Sequence, residues 1–135
     1  MGTSRVRLRL WPEPYAVARL RAVPDLAGLA DRSSSPVCIV VGHDEISAIV
    51  PESRLDSISA SVDSASRGWR ALTLDVVMKH DVIGVLAALG EALARTGVPV
   101  MVFSSHDTDH LLVPGDRLGR ALAALNQVDL ERLLR

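Results

Sequence analysis

Aromatic residues are nearly missing from this chain of 135 residues, which holds 2 Trp, 1 Tyr and 1 Phe. So few rings make a poor platform for stacking nucleic-acid bases. Charge of one sign is not in excess either. The 15 Lys and Arg against 16 Asp and Glu leave a net charge of −1, so neither a nucleic acid nor an anionic lipid surface is an expected partner. A lone cysteine, Cys38, leaves no internal disulfide and no thiolate zinc cage. Inside 37-VCIVV-41 it reads as a buried, inert thiol. No apolar run exceeds strand length, so no segment is expected to span a membrane. MGTSRVRLRLWPEPY lacks the apolar stretch of a secretion signal. These absences predict a cytoplasmic protein.

The chain does have material for a core: 48% of its residues are hydrophobic and 23% charged, the balance of a folded protein. It also repeats itself. Shifted by 63 positions, 36-PVCIVVGHDEISAIVPESRL-55 lies over 99-PVMVFSSHDTDHLLVPGDRL-118 without a gap, and 8 of those 20 positions are identical. Earlier in each copy, Asp25-x-x-Gly28 corresponds to Asp81-x-x-Gly84 at a shift of 56, so the first copy is 7 residues shorter between the blocks. The expected organisation is two related modules, 1–65 and 66–135.

Within the second copy, 69-WRALTLDVVM-78 predicts a strand and Asp81 caps a helix from Val82 to about Thr96. That helix carries an apolar stripe of Val82, Val85, Leu86, Leu89, Ala92 and Leu93, and Gly97 suits its left-handed end. A fully buried strand over 98–105, a turn at Asp107-Thr108-Asp109 and a strand at 110–113 follow. Asp116 then caps a helix to about Asn126 with Leu118, Ala121, Leu122 and Leu125 as its stripe. The tail 128–135 fits either a strand or a helix. The order β-α-β-β-α-(β) is an α+β, ferredoxin-like arrangement, two modules of which should pack side by side. In the first copy the pattern predicts strands at 5–10, 15–20, 37–42 and 46–50, a short helix at 25–31 and a weak one at 54–62. Its Ser-rich 33–35 and 57–66 read as loops.

The stretch 103-FSSHDTDHLLV-113 concentrates chemistry-bearing side chains: His106, Asp107, Asp109 and His110 fall within five residues. Successive residues of a strand point to opposite faces, so these four converge only if the turn folds them together. A metal held by His106 and His110 would need further ligands, for which His43 and Asp44 are candidates. Ser105-His106-Asp107 is no hydrolytic triad, since consecutive residues cannot reach that geometry. No phosphate-binding glycine loop, dinucleotide fingerprint or metalloprotease motif occurs, so no cofactor and no catalytic residue is expected.

The segments 10-LWPEPYAVARL-20, 67-RGWRALTL-74, 81-DVIGVLAAL-89 and 104-SSHDTDHLLV-113 resemble the signature blocks of small tandem ACT-domain proteins of the CASTOR-like branch, over almost the whole chain. The resemblance implies a non-catalytic regulatory protein that binds an amino acid in an inter-module or inter-subunit cleft, as a homodimer acting on a partner protein. It also implies a binding loop after the first strand of the module, here 79-KHDVIGVL-86, with Ile83 where proline is common. His110 stands where the family usually has an aromatic residue.

The chemistry of a zwitterion fits these places. Amides free at the start of a helix, around Val82 to Val85, suit a carboxylate, and Gly84 leaves room for it. Asp107 and Asp109 could accept from an ammonium. The expected ligand-binding residues are therefore His80, Asp81, Val82, Ile83, Gly84, Ser105, His106, Asp107, Thr108 and Asp109. The alternatives are a protein-interaction module of the same fold without a ligand and a small metal-dependent enzyme built on the histidines.

Overall fold

A computed structural model describes residues 7–29, 35–75 and 83–129. Six strands and two α-helices form: β1 (Leu8–Leu20), β2 (Cys38–Val41), β3 (Ile46–Pro51), β4 (Val62–Leu74), α1 (Val85–Arg95), β5 (Met101–Ser104), β6 (Asp109–Pro114) and α2 (Leu118–Leu125). The fold is α+β. The described residues make two compact units, one from Trp11–Arg70 and the other from Met1–Leu10 with Ala71–Arg135. We call them the N-terminal and C-terminal units.

In the N-terminal unit the strand order is β2-β3-β1-β4, and in the C-terminal unit it is β1-β4-β6-β5. Each is the split βαβ strand order, with the fourth strand following in sequence in the N-terminal unit and coming from the start of the chain in the C-terminal unit. In the C-terminal unit Leu8–Leu10 of β1 lies beside β4, in the place that the expected final strand would fill. Residues 130–135 lie outside the description, and Val128 and Asp129 belong to no strand or helix. In the N-terminal unit, Val62–Arg70 of β4 is the fourth strand and lies at an edge.

Two expectations are corrected here. Residues 62–66, expected as loop, are strand. Pairing with β1 overrides the weak β-preference of Ser and Asp, and polar side chains suit an edge. The two expected strands 5–10 and 15–20 are one strand over 8–20, running through Pro12 and Pro14. The hydrogen bonds explain why the prolines are tolerated. Arg21 N–H donates to Ser61 O and Asp75 N–H to Arg7 O, so odd-numbered residues of β1 turn their polar groups towards β4. Even-numbered ones face β3, which pairs only from Tyr15 onward. Pro12 and Pro14 therefore remove donors on a side where β3 offers no acceptor.

Other departures are local. Asp25, expected to open a helix, accepts from Ala27 N–H and shapes a turn at 26–29 instead; residues 30 and 31 lie outside the description. Residues 52–54 and 56–61 form two 3-10 turns, not a helix. The strand expected to be fully buried, β5, is an edge strand with Val102 42% exposed. Asp116 caps nothing: a 3-10 turn over Gly115–Arg117 leads into α2, and neither has a side-chain cap.

The C-terminal core joins Leu72 and Leu74 of β4, Leu111 and Val113 of β6, Val85, Leu89 and Leu93 of α1, and Ala121 and Leu125 of α2. Burying each large side chain contributes about 1.5–3 kcal/mol. The α1 stripe is thus Val85-Leu89-Leu93, spaced four apart, and Leu86 points outward. Gly97, at φ +71°, ends α1 as expected. Gly97 N–H reaches Ala94 O and Val98 N–H reaches Leu93 O, the paired bonds of a left-handed helix end. A second core joins Ala16, Ala18, Leu20, Leu29, Ala48, Val50, Leu55 and Ile58 in the N-terminal unit.

Candidate functional site

Alternation fixes which side of the C-terminal sheet each residue serves. Leu72, Leu74, Leu111 and Val113 face the helices, so Thr73 and His110 face the other way. Thr73 Oγ1 lies 2.8 Å from His110 Nδ1. Thr73 is next to the last residue of β4 and His110 is next to the first of β6. The chain leaving β4 and the turn entering β6 therefore lie at one edge of the sheet. β5 begins at the opposite edge, with five residues between it and the end of α1. The start of α1 consequently points back to the edge that carries the turn.

That turn spans 105–108 and is closed by Ser105 N–H donating to Thr108 O at 2.8 Å. Its side chains largely satisfy one another. Ser104 Oγ donates to Asp109 Oδ1 at 2.6 Å, and His106 Nδ1 lies 2.7 Å from Asp107 Oδ1. The His106 side chain is 81% exposed and that of Asp107 53%. His110 lives in another environment. It is 5% exposed, its Nε2 lies 2.6 Å from Ser105 Oγ, and its ring stacks on Phe103 with centroids 4.7 Å apart. Burial pushes its pKa down from the ordinary imidazole value, against a smaller opposing pull from Asp109.

The two histidines thus do not converge. Among the described residues no group of three or more His, Cys, Asp or Glu is arranged to hold a metal ion. His43 and Asp44 sit in the matching turn of the N-terminal unit as an exposed pair of their own, 3.7 Å apart.

At the start of α1, Gly84 adopts φ +91° and no side chain caps the helix. The first turn of the helix is closed by Ala88 N–H donating to Gly84 O, so the N–H groups of Val85, Leu86 and Ala87 have no partner within the helix. Ile83 beside them is 84% exposed. Of the expected site residues, Ile83, Gly84, Ser105, His106, Asp107, Thr108 and Asp109 are described; His80, Asp81 and Val82 lie outside the described residues. What sequence reasoning missed is the bridge Thr73–His110–Ser105. The polar Thr73 within an otherwise apolar ALTL stretch was the one available signal.

Residues 64–127, from within β4 to just past α2, match the model of the ACT domain. That stretch, just under half of the chain, is similar to an ACT domain. Solved structures agree with the fold. A protein from Agobacterium tumefaciens is 27% identical at a TM-score of 0.73, with 90% of this chain and 87% of that one covered. A Vibrio cholerae protein of unknown function, described as a possible transport protein, is 20% identical at 0.72, covering 88% and 86%. The ligand-free regulatory subunit of aspartate kinase from Thermus thermophilus is 17% identical at 0.61, covering 92% and 98%. No curated protein matches the chain. Among the described residues no helix is long and apolar enough to cross a membrane.

Proposed function

We propose that this chain is a non-catalytic regulatory protein that binds a small molecule, an amino acid, at the turn edge of its ACT domain. The observation that carries the reading is the sharing of one sheet edge by the uncapped start of α1 and the acidic turn 105–109 within that domain. The helix start presents N–H donors and positive dipole to a carboxylate. Asp107, half-exposed, accepts from an ammonium. The contact residues we propose are His80, Asp81, Val82, Ile83, Gly84 and Ser105 to Asp109. The wider reading is a CASTOR-like tandem of two ACT modules, 1–65 and 66–135, working in the cytoplasm as a homodimer. Its occupancy passes to a partner protein by favouring one arrangement over another.

A second reading has one observation in its favour. The turn's polar groups already pair among themselves, His106 with Asp107 and Ser104 with Asp109, as a surface serving only protein contacts would allow. A thermal-shift screen of the twenty amino acids on the full chain separates the two, since a ligand that binds only the folded state must raise the melting temperature. At a concentration of about 100 Kd the stabilisation is roughly 2.7 kcal/mol. At least one amino acid should stabilise the chain, and Asp107→Ala should remove that response without lowering the unliganded melting temperature. No response at millimolar concentration of any amino acid rejects the sensor in favour of the interaction module.

A further inference from the structure

The Thr73–His110–Ser105 bridge is specific to one unit. The turn itself recurs: Gly42 N–H donates to Glu45 O at 2.8 Å, as Ser105 does to Thr108 63 residues later. At the positions of Ser105 and His110, however, the N-terminal unit has Gly42 and Ser47. The fold and the turn therefore do not require the bridge. It is an addition at the edge where we place the ligand.

A neutral imidazole has one donor nitrogen and one acceptor nitrogen. Both nitrogens of His110 face hydroxyls, Thr73 Oγ1 at 2.8 Å and Ser105 Oγ at 2.6 Å. Whichever nitrogen carries the hydrogen, one hydroxyl donates to the ring and the other accepts from it. Protonation turns both nitrogens into donors, so the donating hydroxyl must reverse. The reversal happens against a buried, stacked ring that cannot turn to water, and one of the two hydroxyls belongs to the first residue of the turn. The charged group that acts on the ring is Asp109 beside it on β6; the other titratable groups on the neighbouring segments are His106 and Asp107 in the turn and Asp75 just past the end of β4. Arg9 of β1 falls opposite Thr73, two residues in from the Arg7–Asp75 bond; β5 carries no charge in Met101–Ser104.

We infer that His110 is a positioning residue, a proton-responsive clamp that ties the 105–108 turn to β4 and makes the shape of the ligand edge depend on pH. The clamp rests on the reading of that edge as the ligand site, but its own test needs no ligand. The full chain carrying His106→Gln, which removes the histidine inside the turn, is followed by NMR from pH 8 to pH 5. The His110 ring should titrate below the ordinary imidazole value of ~6.5, and the amides of Ser105 to Thr108 should shift with the same midpoint. Ser105→Ala in that background should leave the ring titrating while the turn amides lose that midpoint. His110→Phe should abolish it altogether, and if that variant fails to fold, Ser105→Ala alone decides. Turn amides indifferent to the ring, or shifts that survive Ser105→Ala unchanged, overturn the clamp. Turn amides that follow His110 in a chain that binds no amino acid would uphold the clamp and reject the sensor; amino-acid binding with an indifferent turn would do the reverse.

Discussion

Replacing glycine by alanine at two places on one helix should move stability in opposite directions. Gly84 precedes α1 at φ +91°, a conformation that costs an L-residue about 1–2 kcal/mol. Gly90 lies inside α1 with ordinary backbone, and a Cβ built on it meets nothing within 4 Å. There alanine restricts the unfolded chain and favours the helix, a gain of about 0.5–1 kcal/mol. Gly84→Ala should therefore lower stability and Gly90→Ala raise it, a spread of roughly 1.5–3 kcal/mol for the same added methyl. At about 4 °C per kcal/mol, where the ranges for smaller and larger chains meet, the melting temperatures should separate by several degrees. Gly97→Ala is the internal control. Its φ is +71° and its surroundings are open, so its cost is backbone strain alone and should resemble that at Gly84. Urea unfolding gives the differences, with an unchanged m-value as the condition for comparing them. A neutral Gly84→Ala, or a destabilising Gly90→Ala, would refute the argument from backbone geometry.

The other expectations are briefer. Tyr15, the 1 tyrosine of the chain, is fully buried, donates to Pro36 O at 2.6 Å and has its pKa raised by desolvation. Alkaline spectrophotometric titration should show no phenolate in the folded chain near pH ~10. The phenol's stabilising effect is complete below that value and is lost as pH rises from it towards the raised folded value; early phenolate absorbance would contradict the burial. His110 has the opposite sign, since its folded pKa is depressed. Its contribution is complete above ~6.5 and is lost as pH falls towards the lowered value, so urea unfolding from pH 8 to pH 5 should show a larger acid loss in wild type than in His110→Phe. Leu89→Ala, in the α1 stripe, should cost about 2–5 kcal/mol, whereas Leu86→Ala, on the exposed side, should stay within about 0.5 kcal/mol. Equal costs would mean that the helix face is misassigned.

How much was legible follows from the range of the forces involved. Periodicity and the glycine signal located α1 within a few residues, because its stripe and its left-handed end at Gly97 are local. The strands of the repeat were legible for the same reason. What failed was decided at a distance. Residues 62–66 look like loop until β1 is known to lie beside them. Pro12 and Pro14 look like a break until it is known which side of β1 lacks a partner. β5 looks buried from its apolar run, yet it lies at an edge. At the candidate site the turn was legible from Asp-Thr-Asp, and its closing bond is local. The separation of His106 from His110 was not, because Thr73, 37 residues away, holds His110 inward.

The repeat finally separates what the fold keeps from what function could have added. Its identities recur where both units use the residue in the same way. Arg54 donates to Gly28 O and Arg117 to Gly97 O, each tying the turn after a unit's third strand to a glycine carbonyl. Those two arginines are a pair in the 63-residue repeat, but the glycines they reach are not the pair expected from the sequence, which matched Gly28 with Gly84. Gly28 accepts the arginine bond as Gly97 does, although Gly28 lies within a turn and Gly97 follows a helix, and the N-terminal unit's described residues offer no counterpart to the uncapped Gly84. The differences therefore gather at one edge of the C-terminal unit: the positive-φ helix start, Ser105 for Gly42, and His110 for Ser47. Changing Gly42 to Ser and Ser47 to His should not build a second clamp, because Val17, the residue matching Thr73 at the 56-residue shift, has no hydroxyl to offer. The same NMR titration applied to that double variant should find its new histidine titrating without moving the 42–45 amides. A coupled response there would mean that a histidine at this position suffices by itself, without a hydroxyl on the neighbouring strand.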